Sequence, residues 1–133
     1  MPTSSTPISN ISGAFELQSE AFHDHRGIFL NAFRSAESEF LCSWSASRSI
    51  AQVNTCITNS AGVIRGLHYQ PLSHGDAKLI RCIRGKVWDV VADVRPTSPT
   101  YKNWYALELT PDNGKALIIP EGCAHGYQSL APN

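Results

Sequence analysis

Residues 114–129, which read GKALIIPEGCAHGYQS, contain the pattern that most directly predicts the fold. The run ALII is apolar throughout, which is typical of a buried strand. The segment Pro120–Gly122 that follows predicts a tight turn, and His125 begins another short alternating run. We therefore expect two strands joined by a turn, with His125 at the start of the second strand.

The rest of the chain has the same arrangement of short strands separated by turn residues. Near the N-terminus, the pattern predicts a strand, a turn at Asp24 to Gly27 and a second strand. Ser35–Trp44 is the one predicted helix, with Ser35 as its N-cap. Arg84-Gly85, between two alternating runs, predicts a hairpin. Further strands are predicted at about 50–57, 62–70, 77–84, 86–94, 103–110, 115–120 and 124–130. This spacing predicts an all-β sandwich or barrel of antiparallel strands, with at most one or two short helices.

The length and composition predict a single domain. A chain of 133 residues can enclose one hydrophobic core. We expect residues 1–13, which are mostly polar and Ser/Thr/Pro-rich, to form a flexible arm, and residues 14–133 to form the domain. The formal net charge of +0 argues against a protein devoted to nucleic acid or to an anionic membrane. The middle of the chain is nevertheless basic, which suits an anionic small ligand: it contains Arg65, Lys78, Arg81, Arg84, Lys86 and Arg95 against Asp76, Asp89 and Asp93.

The cysteines and the N-terminus predict a cytoplasmic protein with reduced thiols. Cys42, Cys56, Cys82 and Cys123 are widely spaced and form no Cys-x-x-Cys pair. The N-terminal residues have neither a basic start nor an apolar run, unlike a secretory signal. No apolar stretch approaches the length of a membrane-spanning helix.

The stretch GVIRGLHYQ, residues 62–70, alternates like a strand but contains Arg65, Gly66 and His68. Because the side-chain period of a strand is two, Arg65 and His68 would face opposite sides of a regular strand. Gly66 between them permits a bulge, which would turn both side chains toward one face. On these residues alone, a solvated Arg65 at a sheet edge and a hydrogen-bonded core His68 are an equally good interpretation.

A metal site is not favoured by the spacing of the ligand-type residues. The candidate ligands are His68 and His125, and the only further candidates are loop residues such as His74 or Glu121. Two imidazoles are too few for a tetrahedral zinc site. His23 and His25 flank a turn and are expected to be exposed. We expect neither a metal nor another cofactor.

Several segments together resemble a known enzyme family. Gly114, Pro120, Gly122 and His125 match the second motif of the cupin superfamily, with Ser129 in place of its final asparagine. The segments FHDHRGIF (22–29), GVIRGLHYQ (62–70), KLIRCIRGKVWDVVADVRPTSPTY (78–101) and IPEGCAHGYQSL (119–130) resemble the dTDP-4-dehydrorhamnose 3,5-epimerases, over roughly residues 14–130. The resemblance implies a metal-independent cupin jelly-roll barrel, usually a homodimer, that acts on a nucleotide-linked 4-keto-6-deoxyhexose in deoxysugar biosynthesis.

The same resemblance implies a role for individual residues. His68 would be the base that removes a proton next to the C4 ketone, and Lys78, assisted by His125, would stabilise the enolate oxygen. The chemistry is consistent, since epimerisation beside a ketone needs a positioned base and a cation or donor where negative charge develops. A histidine suits the first role and a compact lysine charge the second.

The remaining implied residues bind the nucleotide diphosphate. Arg65 would bind the diphosphate, while Arg26 and Phe22 would hold the nucleotide end, across the dimer interface. Gln52 and Asn54 match the family's Gln-x-Asn segment, which lines the nucleotide pocket. The stretch from Asn54 to Gly62 is one residue longer than the family's usual pattern.

Structural interpretations of these side chains stay open from the sequence. Lys78 could lie along the surface with its ammonium group in water, and His125 could be a turn residue capped by the backbone. Asp89 could orient a histidine or pair with an arginine, whereas for Asp93 the pairing with Arg81 or Arg95 is favoured. The rival functions are a single-site epimerase, a ketoisomerase of a related sugar nucleotide, and a cupin that binds a sugar nucleotide without turnover.

The family pattern continues past Asn133. There it carries a tyrosine that acts as general acid and an aspartate that completes a dyad with the histidine. The tyrosines of this chain are Tyr69, Tyr101, Tyr105 and Tyr127, and none occupies that position in the family pattern. We expect the chain to be part of a longer protein, with a natural short form of impaired catalysis as the alternative.

Overall fold

The computed structural model describes residues 3–34 and 44–131, and these residues form ten β-strands. In chain order they are β1 (Thr3–Pro7), β2 (Phe15–Ser19), β3 (Ala21–Asp24), β4 (Gly27–Leu30), β5 (Ile64–His68), β6 (Lys78–Ile80), β7 (Val87–Ala92), β8 (Trp104–Leu109), β9 (Lys115–Ile119) and β10 (Ala124–Ser129). A short 3₁₀ helix spans Leu72–His74, and residues 44–46 are also helical. The first sheet has the order β1-β2-β9-β6, the second has the order β5-β10-β7-β8, and β3 and β4 form a separate hairpin. Every pairing is antiparallel, so the predicted all-β fold is confirmed.

The hydrophobic core lies between the two larger sheets. Strand β9 explains why the run ALII is apolar throughout, because both of its faces are covered. Leu117 and Ile119 point toward the second sheet, whereas Ala116 and Ile118 pack on the other side with Leu17. The core between the sheets is formed by Ile8, Ile11, Ala14, Cys82, Val91, Leu107, Leu109, Leu117, Ile119 and Cys123.

The N-terminal segment that its composition predicts as a flexible arm instead contributes a strand and core residues. Strand β1 pairs with β2 from Thr3↔Ser19 to Pro7↔Phe15. Ile8 and Ile11 are buried in the core. Because β1 is an edge strand, it tolerates Pro7. A segment rich in Ser, Thr and Pro can therefore still be part of a sheet when two apolar residues anchor its end.

The turn at Arg84-Gly85 does not close the predicted hairpin. Strand β6 pairs with β9, whereas β7 pairs with β8 and β10. Gly85 has φ +72°, which suits a turn, but this turn carries the chain from the first sheet to the second. Alternation along the sequence identifies strands and does not identify their partners.

Two other sequence predictions concern the segment before β5. The predicted strand at 50–57 is wrong, because these residues have no regular secondary structure. Ile50, Val53 and Ile57 are exposed there, so the apolar residues of this segment do not bury a strand face. The predicted helix Ser35–Trp44 lies almost entirely outside the described residues, as does Cys42.

Two further findings concern the cysteines and the helices of the described residues. Cys56, Cys82 and Cys123 are free cysteines. Within residues 3–34 and 44–131, no helix is both long enough and apolar enough to cross a membrane.

Candidate active site

Strand β5 pairs with β10 through a bulge that brings Arg65 and His68 onto one face. His68 lies opposite His125 and Arg65 lies opposite Tyr127, so three residue steps on β5 match two steps on β10. Residues two apart on a strand share a face. The extra residue of β5 therefore places Arg65 and His68 on the face that His125 and Tyr127 occupy. The predicted bulge is confirmed.

A pair of glycines allows the two backbones to approach closely at this bulge. A Cβ atom on Gly66 would lie 2.8 Å from the Cα of Gly126 and 2.8 Å from the carbonyl oxygen of His125. A Cβ atom on Gly126 would lie 2.5 Å from the carbonyl oxygen of Arg65. Gly66 also has φ +108°, a conformation that favours glycine. His68 itself is exposed on this edge strand, so the interpretation of a core histidine is wrong.

His125 is hydrogen-bonded to a buried carboxylate. Its Nε2 lies 2.9 Å from Oδ1 and 3.0 Å from Oδ2 of Asp89. Asp89, on β7, is fully buried. Burial raises the pKa of Asp89, and the hydrogen bond and charge of His125 oppose this rise without cancelling it. Among the residues that the structure describes, Asp89 thus contacts a histidine and not an arginine, which decides between the two roles left open for it. Asp93 forms an ion pair with Arg95, which is the pairing that the sequence favours.

Lys78 reaches the same interior from the opposite sheet. It is the first residue of β6 and lies opposite Ile119 of β9. Ile119 points into the core, and directly opposed residues of an antiparallel pair share a face. Lys78 is partly buried on this inner face. The alternative interpretation, in which Lys78 lies along the outer surface, is therefore wrong.

This arrangement combines the groups that proton transfer next to a ketone needs. An exposed imidazole on β5 can accept a proton, and an ammonium group and a carboxylate-bound imidazole face the interior between the sheets. A guanidinium group lies on the same strand as the exposed imidazole. Such groups can bind an anionic substrate and stabilise negative charge that develops on an oxygen.

Comparison with known proteins identifies the family of this chain. A protein-family model described as dTDP-4-dehydrorhamnose 3,5-epimerase matches residues 8–133. The chain belongs to this family. It is 39% identical over 109 residues to the dTDP-4-dehydrorhamnose 3,5-epimerase of Sinorhizobium fredii, covering 82% of this chain and 54% of that protein. It is also 34% identical over 121 residues to the dTDP-4-dehydrorhamnose 3-epimerase of Streptomyces niveus, covering 91% of this chain and 57% of that protein.

The fold is shared with a solved epimerase structure. The dTDP-4-dehydrorhamnose 3,5-epimerase from Bacillus anthracis, solved with TDP and PPi bound, superposes with a TM-score of 0.86 and 33% sequence identity. That match covers 98% of this chain and 72% of the solved chain. The predicted cupin jelly roll of the dTDP-4-dehydrorhamnose 3,5-epimerase family is therefore confirmed. The chain spans little more than half the length of the relatives from Sinorhizobium and Streptomyces.

The residues that the family resemblance assigns to the nucleotide end lie outside the two larger sheets. Phe22 and Arg26 belong to the β3–β4 hairpin, which forms its own sheet. Phe22 is exposed, and Arg26 donates from Nε and Nη2 to Oδ2 of Asp24 at 3.0 and 2.6 Å. Gln52 donates to Oδ1 of Asn54 at 2.8 Å, and both side chains are exposed. The roles of the hairpin and of Gln52 and Asn54 in nucleotide binding therefore stay predictions.

The candidate metal ligands are dispersed. Among residues 3–34 and 44–131, no three His, Cys, Asp or Glu side chains are grouped as ligands of an ion. Glu121 instead forms an ion pair with Arg48 at 3.0 Å. His23 and His25 are exposed, as predicted.

The sequence interpretation missed one part of the site. Thr58 and Tyr127 share a short hydrogen bond of 2.6 Å, and Thr58 also accepts a hydrogen bond from Arg65. Tyr127 lies two residues after His125, so the period of the strand alone would have placed it on the same face. No sequence signal indicates Thr58, because it lies in an irregular segment.

Proposed function

We propose that the chain acts in the epimerisation of a nucleotide-linked 4-keto-6-deoxyhexose, converting dTDP-4-dehydro-6-deoxyglucose toward dTDP-4-dehydrorhamnose in deoxysugar biosynthesis. The observation that carries this proposal is the placement of His68 on the face that holds the Asp89–His125 pair. His68 removes a proton from a carbon next to the C4 ketone. Lys78 and His125 stabilise the enolate oxygen that results. No metal or other cofactor takes part in this scheme.

The substrate is held through its nucleotide diphosphate. Arg65 binds the diphosphate, since a guanidinium group matches the geometry of phosphate oxygens. Gln52 and Asn54 line the nucleotide pocket. Support for this part of the proposal comes from the Bacillus anthracis relative, which holds TDP and PPi.

A homodimer completes the nucleotide end of the site. The exposed aromatic side chains of Phe22 and Phe29 on the β3–β4 hairpin suit contact with a second copy of the chain. Phe22 and Arg26 then serve the partner's site. Light scattering at micromolar concentration tests this: a dimer is expected, and an active monomer would contradict the role of Arg26 across the interface.

A narrower activity is the second candidate function. The similarity to the Streptomyces niveus 3-epimerase favours inversion at one carbon. The inner face, with His68, Lys78 and His125, would serve either reaction.

Deuterium incorporation from solvent separates these functions. The substrate is incubated with the protein in D₂O, and exchange at each carbon is followed by NMR. Exchange at both C3 and C5 supports the double epimerase, and exchange at one carbon supports the single-site enzyme. A protein that binds the sugar nucleotide without exchange at either carbon would contradict both.

A further inference from the structure

Arg65 is tied to a chain of hydrogen bonds that the catalytic scheme does not use. Its Nε donates to Oγ1 of Thr58 at 3.2 Å, and its Nη2 donates to the carbonyl oxygen of Ile57 at 3.1 Å. Oγ1 of Thr58 lies 2.6 Å from the phenolic oxygen of Tyr127. Tyr127 in turn donates to the sulfur of Cys56 at 3.1 Å. The chain therefore runs from a guanidinium group on the exposed edge strand to a thiol in the preceding segment.

The direction of each hydrogen bond in this chain can be assigned. A guanidinium N–H only donates, and a hydroxyl group has one proton to donate. Because the Tyr127 hydroxyl donates to Cys56, the Thr58 hydroxyl donates to Tyr127 and accepts from Arg65. Each hydroxyl thus donates once and accepts once along the chain, and such a chain is stronger than isolated bonds. Burial raises the pKa of the Tyr127 phenol, which keeps its proton in place at neutral pH.

The chain holds a long side chain that would otherwise be mobile. Arg65 lies on a strand whose five residues are all exposed, whereas Thr58 is only 7% exposed. An exposed arginine loses considerable rotamer entropy when it binds a ligand. Here one edge of the guanidinium group is already anchored. Within the part of the chain that the structure describes, the N–H groups of its Nη1 have no protein partner.

We propose that Thr58 and Tyr127 are positioning residues that orient the Arg65 guanidinium group toward the diphosphate of the substrate, an inference that rests on the proposed function. The anchored edge fixes the plane of the guanidinium group. The end of the group then offers two parallel N–H groups, one from Nη1 and the second from Nη2, to phosphate oxygens, which is an arrangement suited to bidentate recognition. Neither hydroxyl needs to touch the substrate.

The test compares a ligand that has the diphosphate with one that lacks it. Calorimetry measures the dissociation constants of dTDP and of thymidine for the full chain. Thr58→Val and Tyr127→Phe each remove one hydroxyl, and we expect dTDP affinity to fall about 2- to 10-fold while thymidine affinity stays unchanged. Arg65→Ala removes the charge, and we expect a loss of roughly 10- to 100-fold for dTDP alone.

Matched variants separate positioning from general damage to the fold. Thr58→Ser keeps the hydroxyl group and should retain the wild-type dTDP affinity. Tyr105→Phe removes a phenol that donates to Glu16 at 2.8 Å, outside the Arg65 chain, and should also leave dTDP binding unchanged. Adding Tyr127→Phe to Arg65→Ala should cause no further loss, because the two changes act through one group.

The outcomes for this inference and for the proposed function differ. Wild-type dTDP affinity in both Thr58→Val and Tyr127→Phe would overturn the positioning role even if exchange at C3 or C5 is observed. An equal loss of thymidine and dTDP affinity would also overturn it, since that result indicates a structural role. Binding of dTDP with the expected variant effects but no exchange would contradict the epimerase and support the positioning role. A wild-type chain that binds no dTDP would overturn both.

Discussion

Asp89 directs both of its carboxylate oxygens at one nitrogen of His125, at 2.9 and 3.0 Å from Nε2. A carboxylate only accepts hydrogen bonds when ionised, so Nε2 carries the proton that the two oxygens share. This leaves Nδ1 as the ring nitrogen available to a substrate. The hydrogen bond to Asp89 therefore fixes the orientation of the ring and determines which of its nitrogens faces away from the carboxylate.

The first prediction concerns this carboxylate. Asp89→Asn keeps the shape of the side chain but replaces one acceptor oxygen with an NH2 group, so the hydrogen bond that orients the His125 ring is weakened. We expect kcat to fall roughly 10- to 100-fold, less than the about 10²–10³-fold cost of removing a direct donor, with little change in KM. Steady-state kinetics measure both constants. Asp112→Asn, on an exposed turn, is the matched control, and an unchanged kcat in Asp89→Asn would contradict the role.

A second prediction separates the chemistry of His68 from its packing. His68 is exposed on β5, so His68→Ala should leave the melting temperature nearly unchanged. Removal of a general base should lower solvent exchange by about 10²–10⁴-fold. His74→Ala, which removes another exposed imidazole from the 3₁₀ helix, should exchange normally. Near-normal exchange in His68→Ala would show that the base is a different residue.

The strands and the bulge were accessible from sequence because both depend on local rules. The predicted strands correspond to eight of the ten, β3 to β10, and Gly66 between Arg65 and His68 indicated the bulge. The apolar run before Pro120 identified a strand that is covered on both faces. These features depend on neighbours within a few residues of one another.

The features that the sequence did not reveal depend on distant partners. The pairing of β6 with β9, in place of β7, joins segments about forty residues apart, and no local pattern specifies it. The hydrogen bond between Thr58 and Tyr127 spans 69 positions. The role of Asp89 stayed undecided for the same reason, since its partner lies on another strand.

The third prediction tests the close approach of β5 and β10. Gly66→Ala would place a Cβ atom 2.8 Å from Gly126, and with the positive φ this should lower the free energy of unfolding by roughly 2–4 kcal/mol. Gly62→Ala is the control, because Gly62 also has a positive φ of +85° but nothing lies within 4 Å of its added Cβ. It should cost only about 1 kcal/mol. Chemical denaturation measures both, and equal losses would mean that steric contact is not the cause.

The last prediction depends on a buried carboxylate in the loop after β7. Asp93 is fully buried and accepts hydrogen bonds from Nε and Nη2 of Arg95 at 2.9 and 2.8 Å. Ser98 and Thr100 also donate to it. Burial alone would raise the pKa of Asp93, but these hydrogen bonds outweigh burial and hold the pKa well below its usual range.

Acid should therefore destabilise the fold partly through Asp93. Its folded-state pKa lies below the unfolded value of about 4, so the unfolded chain binds the proton first and the contribution of Asp93 is lost as pH falls below that value. We expect Asp93→Asn to lower the free energy of unfolding at pH 7 by roughly 3 kcal/mol. We also expect it to weaken the acid dependence, as measured by denaturation between pH 7 and pH 2. Asp76→Asn, which changes an exposed carboxylate, should keep the wild-type acid dependence, and an equally steep dependence in Asp93→Asn would contradict the assignment.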